Sequence, residues 1–169
     1  MNARLASLVE MTRTLGRPKN RYVIIGEGNT SMMNGDDSFF IKASGQQMNG
    51  IEADGFVDVQ LAPVLALLDQ PDLPADEIKR ASEAARVDPK AKRVPSVEVT
   101  FHAALLADCG VQCIAHTHPV AINRIMCSSR AEEFAANRMF PDEVVLCGPR
   151  SVFVPYVDPG MPLALAIGA

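Results

Sequence analysis

Apolar residues recur along the chain with two different periods, which divide it into candidate helices and strands. Residues 3–15 show the three- and four-residue spacing of a helix, and Gly16 and Pro18 end it. Further helices are predicted over residues 64–69, 75–87, 97–107, 119–127, 131–139 and 161–169. Two-residue alternation or short apolar runs predict strands over residues 22–25, 38–42, 56–61, 111–117, 144–147 and 152–154.

The order of these elements predicts a layered α/β domain. Residues 34–37, Asn-Gly-Asp-Asp, form a short hairpin link into the strand at 38–42, so part of the sheet is expected to be antiparallel. With 169 residues the chain is long enough to bury one core, and it is predicted to form a single domain over residues 1–169.

Charge and composition narrow the partners and the compartment. A net charge of −4 gives no reason to expect nucleic acid or an anionic membrane as a partner. No apolar run reaches the roughly 18 residues that cross a bilayer, and the N-terminal segment lacks the apolar stretch of a signal peptide. The four cysteines show no disulfide framework, which predicts a reducing, cytoplasmic setting.

The segment VQCIAHTHP over residues 111–119 holds the strongest chemical signal. It is predicted to be a buried strand, and His116 and His118 at its end point the same way because side chains alternate faces. Two neutral imidazoles so placed can share one zinc ion. The alternative is a hydrogen-bonded pair at a strand end. The remaining histidine, His102, is expected to play a structural role or to contact a metal-binding residue.

The neighbouring cysteines invite a Cys2His2 zinc interpretation, which the strand period opposes. Cys113 lies at odd spacing from His116 and is expected to face the other side of the sheet. Cys109 lies before a turn at the far end of the strand. Small core positions are therefore predicted for Cys113, Cys127 and Cys147.

Two loops of small residues are candidates for an anion site. The first, GEGNTS at residues 26–31, is not a dinucleotide fingerprint because Ser31 stands at the third glycine position. Its backbone N–H groups and short polar side chains could still surround an anion. The second, KASG at residues 42–45, adds a hydroxyl and a cation. Two such loops favour an oxyanion or phosphate pocket over ordinary turns.

Glu98 lies in the first turn of the helix that leads into the two-histidine strand. A carboxylate there is often only complementary to the helix dipole. The functional interpretation is a general acid/base, because a helix followed by a neighbouring strand can bring Glu98 close to a metal held by the histidines.

Four motifs in this order resemble the class II aldolase and adducin family: GEGNTS, KASG, PSVE-x3-H and AHTHP. Its members include fuculose-phosphate and rhamnulose-phosphate aldolases and ribulose-phosphate 4-epimerases. The resemblance implies a three-layer α/β/α sandwich around a mixed, largely antiparallel sheet. It also implies a homo-oligomer, usually a tetramer, with sites between subunits.

The same resemblance implies a function and a set of site residues. We expect a zinc-dependent lyase that cleaves or forms a C–C bond in a small sugar or sugar phosphate through a metal-stabilised enediolate. The alternatives are an epimerase, a dehydratase or a non-catalytic adducin-like assembly module. His116 and His118 are implied as ligands of Zn2+ or another divalent metal, and Glu98 as the catalytic acid/base. The implied substrate or phosphate pocket consists of Gly28, Asn29, Ser44, Gly45 and Ser96.

This chain departs from the family pattern at three places. Ala43 and Val97 stand where the family usually has hydroxyl residues, which favours a substrate with fewer phosphate contacts. The family takes its third zinc histidine from a later segment that this chain lacks. The chain is therefore expected to be C-terminally incomplete, or to use His102, Glu98 or water as the third ligand, or to have lost the metal.

Overall fold

The computed structural model describes residues 2–168, in which a four-stranded sheet lies between helices on both faces. The strands are β1 (Asn29–Met33), β2 (Ser38–Lys42), β3 (Phe56–Gln60) and β4 (Cys113–His116). The helices are α1 (Ala3–Leu15), α2 (Leu61–Leu65), α3 (Ala75–Ala84), α4 (Val99–Asp108), α5 (Val120–Met126), α6 (Ala131–Ala136), α7 (Pro141–Cys147) and α8 (Met161–Gly168).

The strands follow the order β3-β2-β1-β4, and every described pair is antiparallel. In the register between β1 and β4, Asn29 lies opposite His116 and Ser31 lies opposite Ile114. Directly opposite residues share a face of the sheet. Because strand residues alternate, Asn29, Ser31 and His116 therefore all point to the same side.

Helix α1 covers one face of the sheet. Leu8 and Val9 pack with Phe40 and Phe56 in a buried cluster. The hydroxyl of Thr12, one turn further along, donates to the Leu8 carbonyl at 2.6 Å. Its oxygen also lies 2.6 Å from the Thr30 hydroxyl, so the buried face of α1 is hydrogen-bonded to β1 as well as packed on the sheet.

Helices α2 and α4 cover the opposite face. The larger core cluster joins Phe39 and Ile41 of β2 to Val99, Ala103 and Leu106 of α4. His102 lies on the same buried side of α4 and contacts β1 through hydrogen bonds. Helices on both faces of an antiparallel sheet confirm the predicted three-layer α/β/α arrangement.

The prediction of the first strand at residues 22–25 is wrong. Ile25 has a φ of 54° and is 90% exposed, and this segment forms turns. The strand lies instead at Asn29–Met33, and its first three residues overlap the end of the glycine-rich turn predicted over residues 26–31. A central strand with polar residues is possible here because Asn29, Thr30 and Ser31 all find buried hydrogen-bond partners.

Two later strand predictions are also wrong. Residues 144–147 belong to α7, which begins at Pro141 with Asp142 and Glu143 in its first turn. Both a first-position proline and early carboxylates favour a helix start. Residues 152–154 form no regular element. The predicted core positions of Cys113, Cys127 and Cys147 are wrong as well, because all three are exposed on an edge strand or at the ends of short surface helices.

Within residues 2–168 we find no helix whose length and apolar character would let it cross a membrane.

The end of α1 is packed too closely for a larger residue. A Cβ atom added at Gly16 would lie 2.5 Å from the Asn49 nitrogen and from the Met48 carbonyl carbon, although its φ of −74° suits any residue. We expect Gly16→Ala to lower the free energy of unfolding by about 1–3 kcal/mol through overpacking. Gly26→Ala is the control, because its Cβ would meet only the Gln47 side chain at 3.8 Å. Equal urea midpoints for the two variants would contradict this packing argument.

Burial lowers the pKa of His102 to about 3. The unfolded chain binds this proton near pH 6.5 and the folded chain does not, so stability is lost as the pH falls below 6.5. We expect His102 to account for about 2 kcal/mol of lost unfolding free energy between pH 7 and pH 5. Urea unfolding of the wild type beside His102→Gln, which cannot take up the proton, isolates this contribution. The same pH slope in both proteins would show that folding does not lower the pKa of His102.

Candidate active site

One end of the sheet brings together side chains from three elements. Asn29 begins β1, His116 ends β4, and His118 follows two residues later. Ser96 and Glu98 come directly before α4, which crosses this face of the sheet. The structure thus brings together most of the residues predicted from the motifs.

Glu98 is held by two donors on one carboxylate oxygen. Its Oε2 accepts from the Asn29 amide nitrogen at 2.5 Å and from the His116 Nδ1 at 3.0 Å. Burial acts to raise the pKa of Glu98, but hydrogen bonds from His116 and Asn29 and the charges of the nearby histidines outweigh it and leave that pKa below its ordinary value. The ionised carboxylate is therefore favoured in this half-buried position.

His116 and His118 converge as the strand period predicts. Their Nε2 atoms lie 3.0 Å apart. Because His116 donates from Nδ1 to Glu98, the Nε2 of a neutral His116 carries a lone pair towards His118. Burial, with the charge of His116, lowers the pKa of His118 and favours its neutral, metal-binding form. The backbone N–H of His118 donates to the Tyr22 carbonyl at 2.9 Å, which fixes the segment after the strand.

The two imidazoles fit half of a divalent-metal site. Two nitrogens on one tetrahedral zinc ion are separated by about 3.3 Å, close to the observed separation. The carboxylate of Glu98 on the outer nitrogen of His116 is the arrangement that orients a metal-binding histidine. Among the residues that the structure describes, no group of three His, Cys, Asp or Glu side chains is arranged to hold a metal.

A buried chain of hydrogen bonds leads from α4 to Glu98. His102 Nδ1 lies 2.7 Å from the Ser31 hydroxyl, and its Nε2 lies 2.5 Å from the Asn29 amide oxygen. The Asn29 nitrogen donates to the Ser96 hydroxyl at 2.9 Å as well as to Glu98. Ser31 was not predicted as a site residue because the motif placed it in a turn; a strand at 29–33 would have put Ser31 on the face of Asn29.

The five predicted pocket residues are placed differently from one another. Ser44 and Ser96 line the same cavity of about 540 Å³, between α3 and the start of α8. Gly28 is buried, and a Cβ there would lie 2.7 Å from the His116 carbonyl oxygen, so this glycine permits a close backbone approach. Gly45 lies in an exposed turn with a φ of 75° and open space around it.

Lys42 places a buried cation near this end of the sheet. Its side chain is 5% exposed and donates from Nζ to the Gln46 carbonyl at 2.5 Å. Burial lowers the pKa of Lys42, while the negative charges of Glu98 and Glu27 act in the opposite direction. Its location in the KASG motif was the available signal, although the sequence alone did not show that its ammonium group is buried.

One family model and one curated relative match most of this chain. The sequence model described as "Class II Aldolase and Adducin N-terminal domain" matches residues 6–168. The Bacillus subtilis protein called "Uncharacterized oxidoreductase YuxG" is 30% identical over 150 residues, which are 84% of this chain and 20% of that protein. The chain therefore spans about one fifth of the length of this relative.

Three solved structures share the fold. An N-terminal class II aldolase domain from Thermoplasma acidophilum has a TM-score of 0.73 at 24% identity, with 97% of this chain and 73% of that chain covered. YgbL from Klebsiella pneumoniae has a TM-score of 0.68 at 19% identity, with 98% of this chain and 68% of that chain covered. L-fuculose-1-phosphate aldolase from Thermus thermophilus has a TM-score of 0.64 at 16% identity, with 99% of this chain and 70% of that chain covered.

The family prediction is confirmed, because the family match covers nearly the whole chain and the three folds agree with it. This protein belongs to the class II aldolase and adducin family.

Proposed function

We propose that this chain carries the acid–base group and two metal ligands of a class II aldolase-type lyase. The observation that carries the proposal is the contact of Glu98 with the Nδ1 of His116, whose Nε2 faces the Nε2 of His118. A small sugar or sugar phosphate is the proposed substrate, and C–C bond cleavage or formation is the proposed reaction.

His116 and His118 would hold Zn2+ or another divalent metal through their Nε2 atoms. When bound, such an ion supplies Lewis-acid polarisation of a hydroxy-carbonyl substrate. Glu98 accepts the Nδ1 hydrogen of His116 and so keeps the Nε2 lone pair available. Neutral imidazole is the form that binds metal, and the lowered pKa of His118 favours that form.

Glu98 is the proposed acid/base, and its two oxygens have different tasks. Oε2 accepts the hydrogen bonds from Asn29 and His116. Within the described residues Oε1 accepts none, so it is the atom available to a substrate. In the cleavage direction the Oε1 carboxylate would take the proton of the substrate hydroxyl whose carbon becomes the aldehyde, and would return it to the carbon next to the carbonyl group once the C–C bond has broken; condensation reverses both transfers.

Ser44 and Ser96 are proposed to bind the distal, anionic or hydroxylated end of the substrate. The Ser96 hydroxyl oxygen accepts from Asn29 and from the backbone N–H of Glu98, which leaves its own hydrogen available to a ligand. Lys42 adds a buried positive charge. Direct substrate contacts by Gly28, Asn29 and Gly45 stay predictions; the contacts of Gly28 and Asn29 support a role in shaping the pocket.

The arrangement is also suited to an epimerase that breaks and re-forms the same bond. A non-catalytic assembly module would have no need of two convergent imidazoles and a bonded carboxylate. We further propose a single domain, a cytoplasmic location and a homotetramer. The apolar side chains of Met139, Val145 and Leu146 are 77–83% exposed, and contacts between subunits would remove them from water.

We expect the purified chain to bind Co2+ or Zn2+ through the two histidines. His116→Ala and His118→Ala should each raise the dissociation constant for Co2+ at least ten-fold, because each removes one nitrogen ligand. Absorption titration with Co2+ measures this effect. Cys113→Ser is the matched control, because it changes an exposed side chain on the same strand as His116. It should bind Co2+ with the affinity of the wild type. Unchanged affinity in both histidine variants would rule out this pair as the ligands.

We expect Glu98→Gln to lower kcat for cleavage of L-fuculose 1-phosphate by about 10²–10⁴-fold, because the amide cannot exchange the proton. The assay detects the released aldehyde with the metal-loaded chain. Glu27→Gln is the control, because it removes a nearby exposed carboxylate and should change kcat less than three-fold. If Glu98→Gln retains the wild-type rate, another group moves the proton.

A further inference from the structure

The buried hydrogen bonds around His102 have a fixed direction. We infer that His102 is a positioning residue that sets the tautomer of His116 through Asn29 and Glu98. This inference rests on the proposed function insofar as His116 is a metal ligand. His102 itself lies too deep to reach a substrate, since its side chain is fully buried.

The Asn29 amide determines the first half of the direction. A carboxylate can only accept, so the nitrogen of Asn29, and not its oxygen, must face Glu98. The other hydrogen of that nitrogen goes to Ser96. The Asn29 oxygen then faces His102 Nε2, which must carry a hydrogen to donate.

Ser31 completes the direction at the other end. With its hydrogen on Nε2, a neutral His102 has a lone pair on Nδ1, and the Ser31 hydroxyl donates to it. Hydrogen bonds therefore run from Ser31 to His102, to Asn29 and to Glu98, each with one defined donor. The opposite tautomer of His102 would place the Nε2 lone pair against the Asn29 oxygen.

Burial makes this direction hard to reverse. Ser31 and His102 are fully buried and Asn29 is 3% exposed, so water has little access to replace a lost partner. Phe101 stacks on His102 with ring centroids 4.5 Å apart and meets His116 edge-on at 5.6 Å. Both imidazoles are thus restrained by packing as well as by hydrogen bonds.

The effect reaches His116 through one oxygen. Glu98 Oε2 accepts from both Asn29 and His116. If Asn29 loses the donor from His102, its amide is held by Ser96 and Glu98 alone, and its restraint on Oε2 is weaker. His116 is then free to exchange its hydrogen between Nδ1 and Nε2. A hydrogen on Nε2 occupies the lone pair that faces His118.

Nuclear magnetic resonance of the imidazole nitrogens tests this inference on the metal-free chain at pH 8. The chain has only three histidines, so each ring can be assigned by comparison of the variants. In the wild type we expect His102 as the Nε2–H tautomer and His116 as the Nδ1–H tautomer. A wild-type His102 with its hydrogen on Nδ1 would overturn the inference at once.

Two substitutions at His102 separate positioning from packing. His102→Leu removes the donor, and we expect at least a five-fold rise in the Nε2–H population of His116. His102→Gln retains an N–H at the place of Nε2, and the population should return to within two-fold of the wild type. Leu106→Ala, one turn later on α4, removes a core side chain that forms none of these hydrogen bonds; it lowers stability and should leave the His116 tautomer unchanged.

The contrary results are equally defined. The inference fails if His116 stays Nδ1–H in His102→Leu, or if Leu106→Ala shifts it as much. If His102→Leu does not fold, Ser31→Ala takes its place; it removes only the hydroxyl donor and should populate the Nδ1–H form of His102 and raise the Nε2–H form of His116.

Co2+ binding separates this inference from the proposed function. His102→Leu should raise the dissociation constant for Co2+ about ten-fold, and His102→Gln should raise it less than three-fold. If the wild type binds no Co2+ but the tautomer of His116 responds to His102→Leu, the proposed function fails and the positioning stands. If Co2+ binds equally well to the wild type and His102→Leu and the tautomer is unchanged, the positioning fails alone.

Discussion

The site depends on the limited hydrogen-bonding capacity of one primary amide. Asn29 has two donor hydrogens and one acceptor oxygen in use, and they contact Ser96, Glu98 and His102. These partners lie before α4 or within it, while Asn29 itself lies on β1. The amide therefore joins the sheet to the helix layer at the point where the carboxylate must be held. A shift of either element would leave a buried polar group without a partner, which costs about 1–3 kcal/mol.

The sequence predicted the elements with ordinary periods and failed where polar residues were buried. Helix α1 and strands β2 and β3 lie where their spacing placed them. The strand at Asn29–Met33 was missed because its inward residues Asn29 and Ser31 form hydrogen bonds and do not pack as apolar side chains. The apolar segment 22–25 attracted the prediction, although it forms turns on the surface. Periodicity identifies a face of apolar residues, whereas Asn29 and Ser31 make this face of β1 largely polar.

The same distinction explains how much of the site could be predicted. The common direction of His116 and His118 follows from the two-residue period, and Glu98 was proposed from its motif. The partnership of Ser31 and His102 depends on how α4 crosses β1, which no local pattern contains. The prediction that Cys113, Cys127 and Cys147 are buried failed for a similar reason. Their exposure depends on whether other elements cover β4 and the ends of α5 and α7, not on their own hydrophobicity.

The register between β1 and β4 has a consequence for the order of folding. Asn29 and His116 are paired although about half of the length of the chain separates them, and β4 joins the sheet at its edge. Contacts so distant in sequence pay their loop-closure entropy before they are rewarded, and they tend to form slowly. A slip of one residue would turn His116 to the other face. The contact between His116 and Glu98 therefore forms only when β4 has docked in register, so its formation reports that the sheet is complete.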